Sequence, residues 1–456
     1  MYGPPPSPLQ VDIPSGPLET PLLFWGAVLV GLAISALALR KSLSEPVRAL
    51  AFTLGQTIAL TSPLLFRIEG AVYGDFPTID KEGSLLFYLD GVHRRLTLHP
   101  IESLQDQAAQ LIGVHVGHLW YVELFDLLLS PFGAFNALAL LLPVLAWWAT
   151  SRLARAFGAT FSGSLVLAAP FGLGLHLFRD LNWYTIEKAA IFWLPLYGLT
   201  LLAAHRQGRD DERGPSPDLP GLREAWGWPI VSGLCLAATA FTNWYLAILS
   251  VFAVATLTLT AVRSRGLWRA SIAGALAILP LVALQFALVA HGGPGDPEAF
   301  LTERAMLDNL SLYNLRWNRL ELWRAVELVT VAVALFGAWR ARDSKMVRSL
   351  LALVALFTLL ALGPELAPGV RNPLYMLLWV VMPGFWRVAK PEVFFYVAWL
   401  SLIALAAIAT TGRRLWWAYP LFLLWWFPAV RGHDAFPGFT QPLERSLSPQ
   451  WRSGGD

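Results

Sequence analysis

Hydrophobic runs separated by short polar segments recur along most of the chain. A bilayer core about 30 Å thick needs roughly 20 apolar residues per helix, and backbone groups in lipid must be paired within the segment. Each long apolar run therefore predicts a transmembrane helix. The predicted spans are residues 22–39, 50–66, 134–150, 159–178, 189–204, 228–243, 245–262, 268–290, 325–340, 347–363, 391–412 and 415–430. The predicted fold class is all-α, a polytopic membrane bundle of about 12 transmembrane helices.

Composition supports the same class. The chain has 456 residues, of which 56% are apolar and only 14% are charged, and its mean hydropathy is +0.52. Soluble chains carry about a quarter charged residues, so the sequence predicts an integral membrane protein. A net charge of +3 spread over membrane loops reflects topology, and no nucleic-acid partner is expected. The single cysteine, Cys235, allows no intramolecular disulfide and no cysteine-based zinc site.

Basic residues predict the orientation of these spans. They cluster in six alternate connections, at residues 40–48, 152–155, 206–223, 263–269, 340–348 and 413–414. Threading the spans in order places all six clusters on one face, which the positive-inside rule makes cytoplasmic. The predicted location is a bacterial cytoplasmic (inner) membrane, with both termini and the long polar loops facing the periplasm or outside.

This threading divides the chain into a bundle, 22–430, and two outer tails, 1–21 and 431–456. Long outer loops are predicted at 67–133, 291–324 and 364–390, and a flexible cytoplasmic linker at 205–227. The segments 120–132 and 373–385 are too short to cross, so we expect half-helices that lie in the interface or re-enter the membrane. The N-terminus lacks a basic n-region, and Pro21–Leu39 is predicted to be a retained span.

Carboxylates in the first outer loop are the first candidates for chemistry. Asp75 and Asp80 follow the span 50–66 and lie near the predicted membrane surface. Partial desolvation raises the pKa of a carboxyl group there, which suits a general base. The same oxygens could bind a divalent metal ion. They could also cap a helix or pair with Arg67 or Lys81.

Two histidines and two acids follow later in the same loop. His115 and His118 are three residues apart and would share one helical face. That spacing could chelate a metal, bind phosphate or serve hydrogen bonds inside the bundle. Glu123 and Asp126 interrupt an apolar stretch, and acids in such places tend to face a cavity.

Asn-Trp-Tyr occurs in two short outer connections. Asn182 and Tyr184 belong to one, and Asn243 and Trp244 belong to the other. An amide with aromatic rings suits stacking on and hydrogen bonding to a sugar. Interfacial anchoring explains the rings equally well.

Arg387 and Lys390 are basic residues on the predicted outer face, against the positive-inside trend. A phosphate or pyrophosphate at the bilayer surface would satisfy an arginine fork and a lysine charge. Pairing with phospholipid headgroups or with Glu392 is the alternative.

Several of these stretches resemble the GT-C class of membrane glycosyltransferases. The resemblance covers most of residues 50–412 and rests on loose motifs. They are the acidic first outer loop with Tyr73-Gly-Asp75, and the segments Leu128–Leu138, Arg152–Gly158, Trp193–Leu196 and Phe385–Phe395. The chain departs from the family in its extra span 22–39, in lacking an adjacent acidic pair at Asp75, and in having no outer soluble domain after the bundle.

The resemblance implies an enzyme that transfers a sugar from a lipid-linked donor, a polyprenyl phosphate or pyrophosphate, to an acceptor on the outer face. Asp75 would deprotonate or orient the acceptor, Arg387 and Lys390 would hold the donor phosphate, and acids such as Asp126 would line the cavity. The alternatives are a transporter or flippase of a lipid-linked or anionic substrate, and a non-catalytic structural subunit of a membrane complex.

Overall fold

The computed structural model describes residues 21–61, 72–73, 125, 128–129, 131–174, 177, 189–212, 222–260, 264–289, 322–367, 370–381, 385, 391–426 and 439–440. This part of the chain is mostly helical, with two short antiparallel strand pairs. Its α-helices, numbered α1 to α13 in chain order, are Pro21–Ala36, Glu45–Leu60, Pro131–Ala156, Phe161–Gly172, Trp193–Glu212, Leu222–Thr242, Trp244–Thr260, Arg265–Val289, Leu322–Arg340, Lys345–Ala361, Pro373–Val381, Phe395–Ala409 and Ala418–Trp426. The 3₁₀ helices Leu37–Leu39 and Pro391–Phe394 adjoin α1 and α12.

The helical class predicted from the sequence is confirmed for the described residues. Each of the twelve predicted spans overlaps a helix, and α11 lies in the segment 373–385, where a half-helix is predicted. By length and apolar composition, one described helix could cross a membrane unaided, at Asn136–Ala156. Six shorter apolar helices accompany it, at Trp25–Leu39, Phe161–Gly172, Trp226–Thr242, Trp244–Thr260, Leu328–Arg340 and Phe395–Ala409. The count of twelve crossings therefore stays a prediction.

Helix α12 forms the centre of the bundle. Thirteen of its fifteen residues are buried, and apolar residues occupy all sides of the helix. A helix of that kind must be covered all round, and α3, α4, α9 and α10 pack against it. The approach of α9 is close because Gly337 faces the Leu405 carbonyl, where a Cβ would collide. Small residues allow this in membrane bundles, where packing rather than hydrophobic exclusion holds helices together.

Peripheral helices carry large apolar side chains on their outward faces. On α8, Trp268, Ile272, Leu276 and Leu279 recur at helical spacing, and the exposed fraction of Leu276 is 66%. On α9, Trp339 is exposed to the same extent. Soluble monomers rarely expose contiguous apolar patches of this kind. The described surface therefore suits contact with lipid or with other apolar helices.

A buried polar network ties α1, α2 and α13 together. The Gln56 amide donates to Ser35 Oγ at 2.8 Å and accepts from the Tyr419 hydroxyl at 2.6 Å. At the same crossing Gly31 and Gly55 pack backbone against backbone, and a Cβ on either would collide with the other helix. The first span is therefore an integral part of the bundle.

Contacts among the basic connections define one end of the bundle, called here the basic end. The Glu45 carboxylate at the start of α2 pairs with Arg152 and Arg155 near the end of α3, each at 2.9 Å. The hydroxyl of Thr160, at the start of α4, donates to the Arg413 carbonyl at 2.6 Å. These contacts join three of the six basic clusters.

Two more contacts extend the same end. Arg206 donates to the Ala156 carbonyl at 2.7 Å, which adds the connection after α5. Thr260 and Ser349 hydroxyls lie 3.1 Å apart, beside the connections 261–264 and 341–344. The threading brings these loops to one end, as the structure does. The membrane face on which they lie stays a prediction.

Two tryptophans near the ends of predicted spans belong to the core of the bundle. Trp147 and Trp426 are completely buried. Their indole N–H groups donate to the carbonyls of Leu165 and Leu173, at 2.8 and 2.9 Å. Trp417, by contrast, is 68% exposed, as an interfacial anchor would be. Trp147 and Trp426 therefore fill the core and satisfy backbone acceptors there.

Part of the linker predicted at 205–227 is helical in the described residues. Helix α5 continues to Glu212, and α6 begins at Leu222. Only residues 213–221 of the predicted linker lie outside the described part of the chain.

Candidate functional site

The end of the bundle opposite the basic end is called here the loop end. Helix α4 leads away from Thr160 and α12 leads towards Arg413, and these two residues meet at the basic end. The far ends of the same helices also meet, because the Phe171 and Tyr396 rings lie 6.3 Å apart in a T-shaped pair. The polar loops with the candidate residues begin and end at this second end.

A short strand pair fixes the start of the first outer loop. Val72–Tyr73 (β1) pairs in antiparallel fashion with Phe439–Thr440 (β4), with Val72 opposite Thr440 and Tyr73 opposite Phe439. β1 also packs against α3. Asp75 follows only two residues after Tyr73. The segment that leads into the candidate acid is therefore held by a segment from far later in the chain.

An aromatic cluster fixes the segment before Arg387. Phe385 is completely buried, and its ring lies 5.0 Å from the ring of Tyr375 in a T-shaped pair. It also lies 5.8 Å from the ring of Phe394, in the 3₁₀ helix that leads into α12. The five residues 386–390, which include the two candidate phosphate ligands, thus connect two anchored points.

Asn372 positions α11 at the C-terminal end of α10. The strand pair Glu365–Ala367 (β2) and Val370–Arg371 (β3) turns the chain back there. The buried Asn372 amide then donates to the carbonyls of Leu359 and Gly363, at 2.7 and 2.8 Å, while its oxygen accepts the Tyr375 N–H at 3.3 Å. The residue was not singled out from the sequence. Its signal was local, an asparagine cap followed by proline at the first helical position.

Most of the predicted site residues lie outside the described part of the chain. They are Asp75, Asp80, His115, His118, Glu123, Asp126, Asn182, Tyr184, Arg387 and Lys390. Four described residues that lie close to some of them in sequence are buried or packed on the core, namely Phe125, Leu177, Ala189 and Phe385. The roles and mutual distances of the ten remain predictions.

Asn243 and Trp244 are described, and Asn243 acts as a helix cap. Asn243 is completely buried, and its side-chain oxygen accepts the backbone N–H groups of Tyr245 at 2.7 Å and Leu246 at 3.4 Å. Its own N–H donates to the Thr239 carbonyl at 2.8 Å, so that one residue ends α6 and begins α7. Trp244 beside it is partly buried. The geometry accounts for the asparagine structurally, and the predicted sugar contact of both residues stays a prediction.

The described residues also form an apolar cavity of about 100 Å³, and its lining extends from the basic end to Leu194 and Val397, near the loop end. Leu153, Phe157, His205 and Met346, which line it, belong to helix segments beside the basic connections. No carboxylate lines it, and its titratable lining side chains are His205 and Tyr197. The candidate active site at the loop end rests on the residues predicted from the sequence and stays a prediction. Among the described residues no group of three His, Cys, Asp or Glu side chains could hold a metal ion.

Comparison with known proteins gives one informative similarity. No protein-family model matches the sequence, and no curated protein matches it. Among solved structures, the cryo-EM structure of the arabinofuranosyltransferase AftD from Mycobacteria is similar, with a TM-score of 0.53 and 18% sequence identity. The alignment covers 86% of this chain and 28% of AftD, so the chain spans little more than a quarter of the neighbour's length. The similarity shows a divergent GT-C-like fold.

Proposed function

We propose that this protein is an integral membrane glycosyltransferase of the GT-C type. It moves a sugar from a polyprenyl-phosphate donor to an acceptor on the outer face of a bacterial cytoplasmic membrane. The observation that carries the proposal is the fold similarity to a membrane arabinofuranosyltransferase over 86% of the chain. An activity screen would identify the transferred sugar and the acceptor.

The proposed membrane arrangement has twelve crossing helices, with α11 as an outer half-helix. Apolar stripes such as the one on α8 support it, since they would face lipid. The contacts that gather the basic connections at one end support it as well, because the positive-inside rule then orients the whole bundle. In this orientation the loop end faces outward, and so do both Asp75 and Arg387.

The proposed chemistry is a single displacement with inversion at the anomeric carbon. An acceptor hydroxyl oxygen forms the new bond to that carbon while its proton passes to the Asp75 carboxylate. The bond from the anomeric carbon to the donor phosphate oxygen breaks, and its electron pair leaves with the phosphate. Arg387 and Lys390 stabilise this anion, with a bidentate fork from the arginine and a point charge from the lysine. The anchored points at Tyr73 and Phe385 support these roles, because both segments start from fixed backbone.

The test is transfer activity in proteoliposomes with a panel of polyprenyl-phosphate pentoses and hexoses, with the product detected by mass spectrometry. Asp75→Asn should lower kcat by about 10²–10⁴-fold, the usual contribution of a general base, while the melting temperature is kept. Asp343→Asn, at an exposed acid of the basic end, is the matched control and should keep full activity. Normal turnover by Asp75→Asn would refute the role of Asp75.

The donor-phosphate assignment has its own readout. Arg387→Ala should raise the donor KM more than it lowers kcat, and Arg387→Lys should restore only part of the affinity, because lysine lacks the bidentate fork. An unchanged donor KM contradicts the assignment. Movement of labelled polyprenyl-phosphate sugar across the vesicle membrane, with no glycosylated product from any donor, would favour the flippase instead.

A further inference from the structure

The lining of the apolar cavity follows one face of α5 between the two ends of the bundle. Its lining on α5 is Leu194, Tyr197, Gly198, Leu201, Leu202 and His205, which recur at the spacing of one helical face. At about 1.5 Å per residue this face extends for roughly 16 Å. The volume of the cavity is about 100 Å³. Helices α3, α7, α8, α10 and α12 complete its wall.

The lining chemistry selects an apolar occupant. The wall consists mainly of leucine, alanine, valine and other apolar side chains, with hydroxyls from Tyr197, Ser250 and Ser401 and the imidazole of His205. Apolar cavities of this size stay dry and bind apolar molecules, because water inside would lack partners. An empty cavity also forfeits dispersion contacts along its whole lining. In a membrane-spanning bundle, the apolar ligand at hand is the hydrocarbon chain of a lipid.

Charge at one end of the cavity selects the headgroup. Met346 and Leu267 line the cavity. Lys345 directly precedes Met346, and Arg265 lies two residues before Leu267. Both basic residues are exposed at the starts of α10 and α8. The Arg155 and Arg206 guanidinium groups lie at the same end, although they bond to Glu45 and to the Ala156 carbonyl. A phosphate at this end would meet a positive field.

We propose that this cavity is a binding site for one acyl chain of an anionic phospholipid from the leaflet at the basic end. The chain lies along α5 and α12, and the phosphate lies near Lys345 and Arg265. The site is separate from the proposed transfer reaction and depends only on the membrane arrangement. It would make the stability of the bundle depend on the lipid composition of that leaflet.

The first test measures the phospholipid that copurifies with the full-length protein, by native mass spectrometry in mild detergent. Ala253 lines the cavity on α7, whereas Ala255 on the same helix is exposed and does not line it. Ala253→Phe fills the cavity and should reduce bound phosphatidylglycerol roughly tenfold, because the occupant loses most of its pocket. Ala255→Phe, the same substitution two residues away, should leave binding unchanged. If Ala253→Phe does not fold, Ala253→Leu provides the same comparison.

The second test concerns the headgroup, with delipidated protein titrated with phosphatidylglycerol or with phosphatidylcholine and followed by its melting temperature. Phosphatidylglycerol should stabilise the wild type more than phosphatidylcholine does. The double variant Lys345→Gln and Arg265→Gln should lose most of this preference. The control Arg40→Gln with Lys41→Gln changes two exposed basic residues next to α1, which contributes no lining residue, and should keep it.

Three outcomes would overturn the proposal. Equal phosphatidylglycerol binding by Ala253→Phe and Ala255→Phe would mean that the cavity holds no lipid chain. Equal stabilisation by both lipids would contradict the preference for an anionic headgroup. Copurification of polyprenyl phosphate in place of phospholipid would assign the cavity to the sugar carrier. None of these results bears on Asp75→Asn, which should bind phosphatidylglycerol normally, so failure here and failure of the transferase are distinguishable.

Discussion

The ion cluster at the basic end makes a quantitative prediction about the stability of the bundle. Glu45 Oε1 lies 2.9 Å from Arg152 Nη1 and 2.9 Å from Arg155 Nε, and its Oε2 lies 3.3 Å from Arg155 Nη2. The carboxylate thus joins the start of α2 to the end of α3 through three charge-assisted hydrogen bonds. Glu45→Gln removes the charge with little change in shape, and leaves both guanidinium groups without their anionic partner.

Exposure decides the size of the effect. The exposed fractions of the side chains are 33% for Glu45, 27% for Arg152 and 39% for Arg155. Fully exposed pairs contribute about 0–1 kcal/mol, and hydrogen bonds to charged groups contribute about 1.5–3 kcal/mol when sheltered. A cluster between these limits should lose about 1–2 kcal/mol on Glu45→Gln. For a chain of this length that corresponds to a fall of roughly 1–4 °C in Tm.

The assay is thermal unfolding of purified protein in one detergent at a single scan rate, since unfolding of membrane proteins is often irreversible. Asp343→Asn, at an exposed acid of the same end, is the control and should leave Tm unchanged. Raised salt should narrow the difference between wild type and Glu45→Gln through screening. A Glu45→Gln variant as stable as wild type at low salt would refute the assignment of stabilising energy to this cluster.

The same cluster has a pH signature. Hydrogen bonding to Arg155, with smaller contributions from its charge and from Arg152, holds the pKa of Glu45 below its ordinary value of 4.5. The stabilisation is therefore fully present above that ordinary value and is lost as pH falls through the lowered folded-state pKa. The Tm difference between wild type and Glu45→Gln should vanish in that acidic range. A difference that grows as the pH falls would contradict the sign.

Two further predictions concern packing and capping. Gly55→Ala should cost about 1–3 kcal/mol and separate α1 from α2, because the new Cβ collides with the Gly31 carbonyl. Gly227→Ala is the control, because the space around its Cβ is open. It should be neutral or slightly stabilising in the same thermal assay. Asn372→Ala should cost about 2–4 kcal/mol, because it leaves one buried and one partly buried carbonyl without this donor. Asn243→Ala, which removes a helix cap, should cost about 1 kcal/mol. Equal Tm values for the two glycine variants, or for the two asparagine variants, would contradict this reasoning.

The helices could be predicted from sequence because apolar run length is a direct physical requirement of the bilayer. The basic clusters also predicted that their connections lie together at one end of the bundle. The Glu45 and Thr160 contacts agree with this prediction. Local patterns also placed α11 correctly in the segment 373–385. These features depend on composition over tens of residues, and composition averages over errors at single positions.

Single residues were harder to predict, because their roles depend on partners far away in sequence. Trp147 lies near the end of an apolar run, and nothing in the local sequence indicates that its indole N–H donates to the Leu165 carbonyl. Asn243 also caps α7, a role that the sequence analysis did not predict, and its predicted sugar contact stays a prediction. The pairing of β1 with β4 had no signal at all, since two-residue strands carry no periodicity.

That strand pair has a consequence for how the protein is made. Val72 and Tyr73 leave the ribosome early, but Phe439 and Thr440 follow only after all the described helices have been synthesised. At about 5–20 residues per second, the first strand waits tens of seconds for its partner. Until then the loop that carries Asp75 has no closing strand, so the nascent bundle would acquire its finished first loop as one of its last steps. A ribosome stalled before codon 439 would yield an inserted bundle that still lacks this closure.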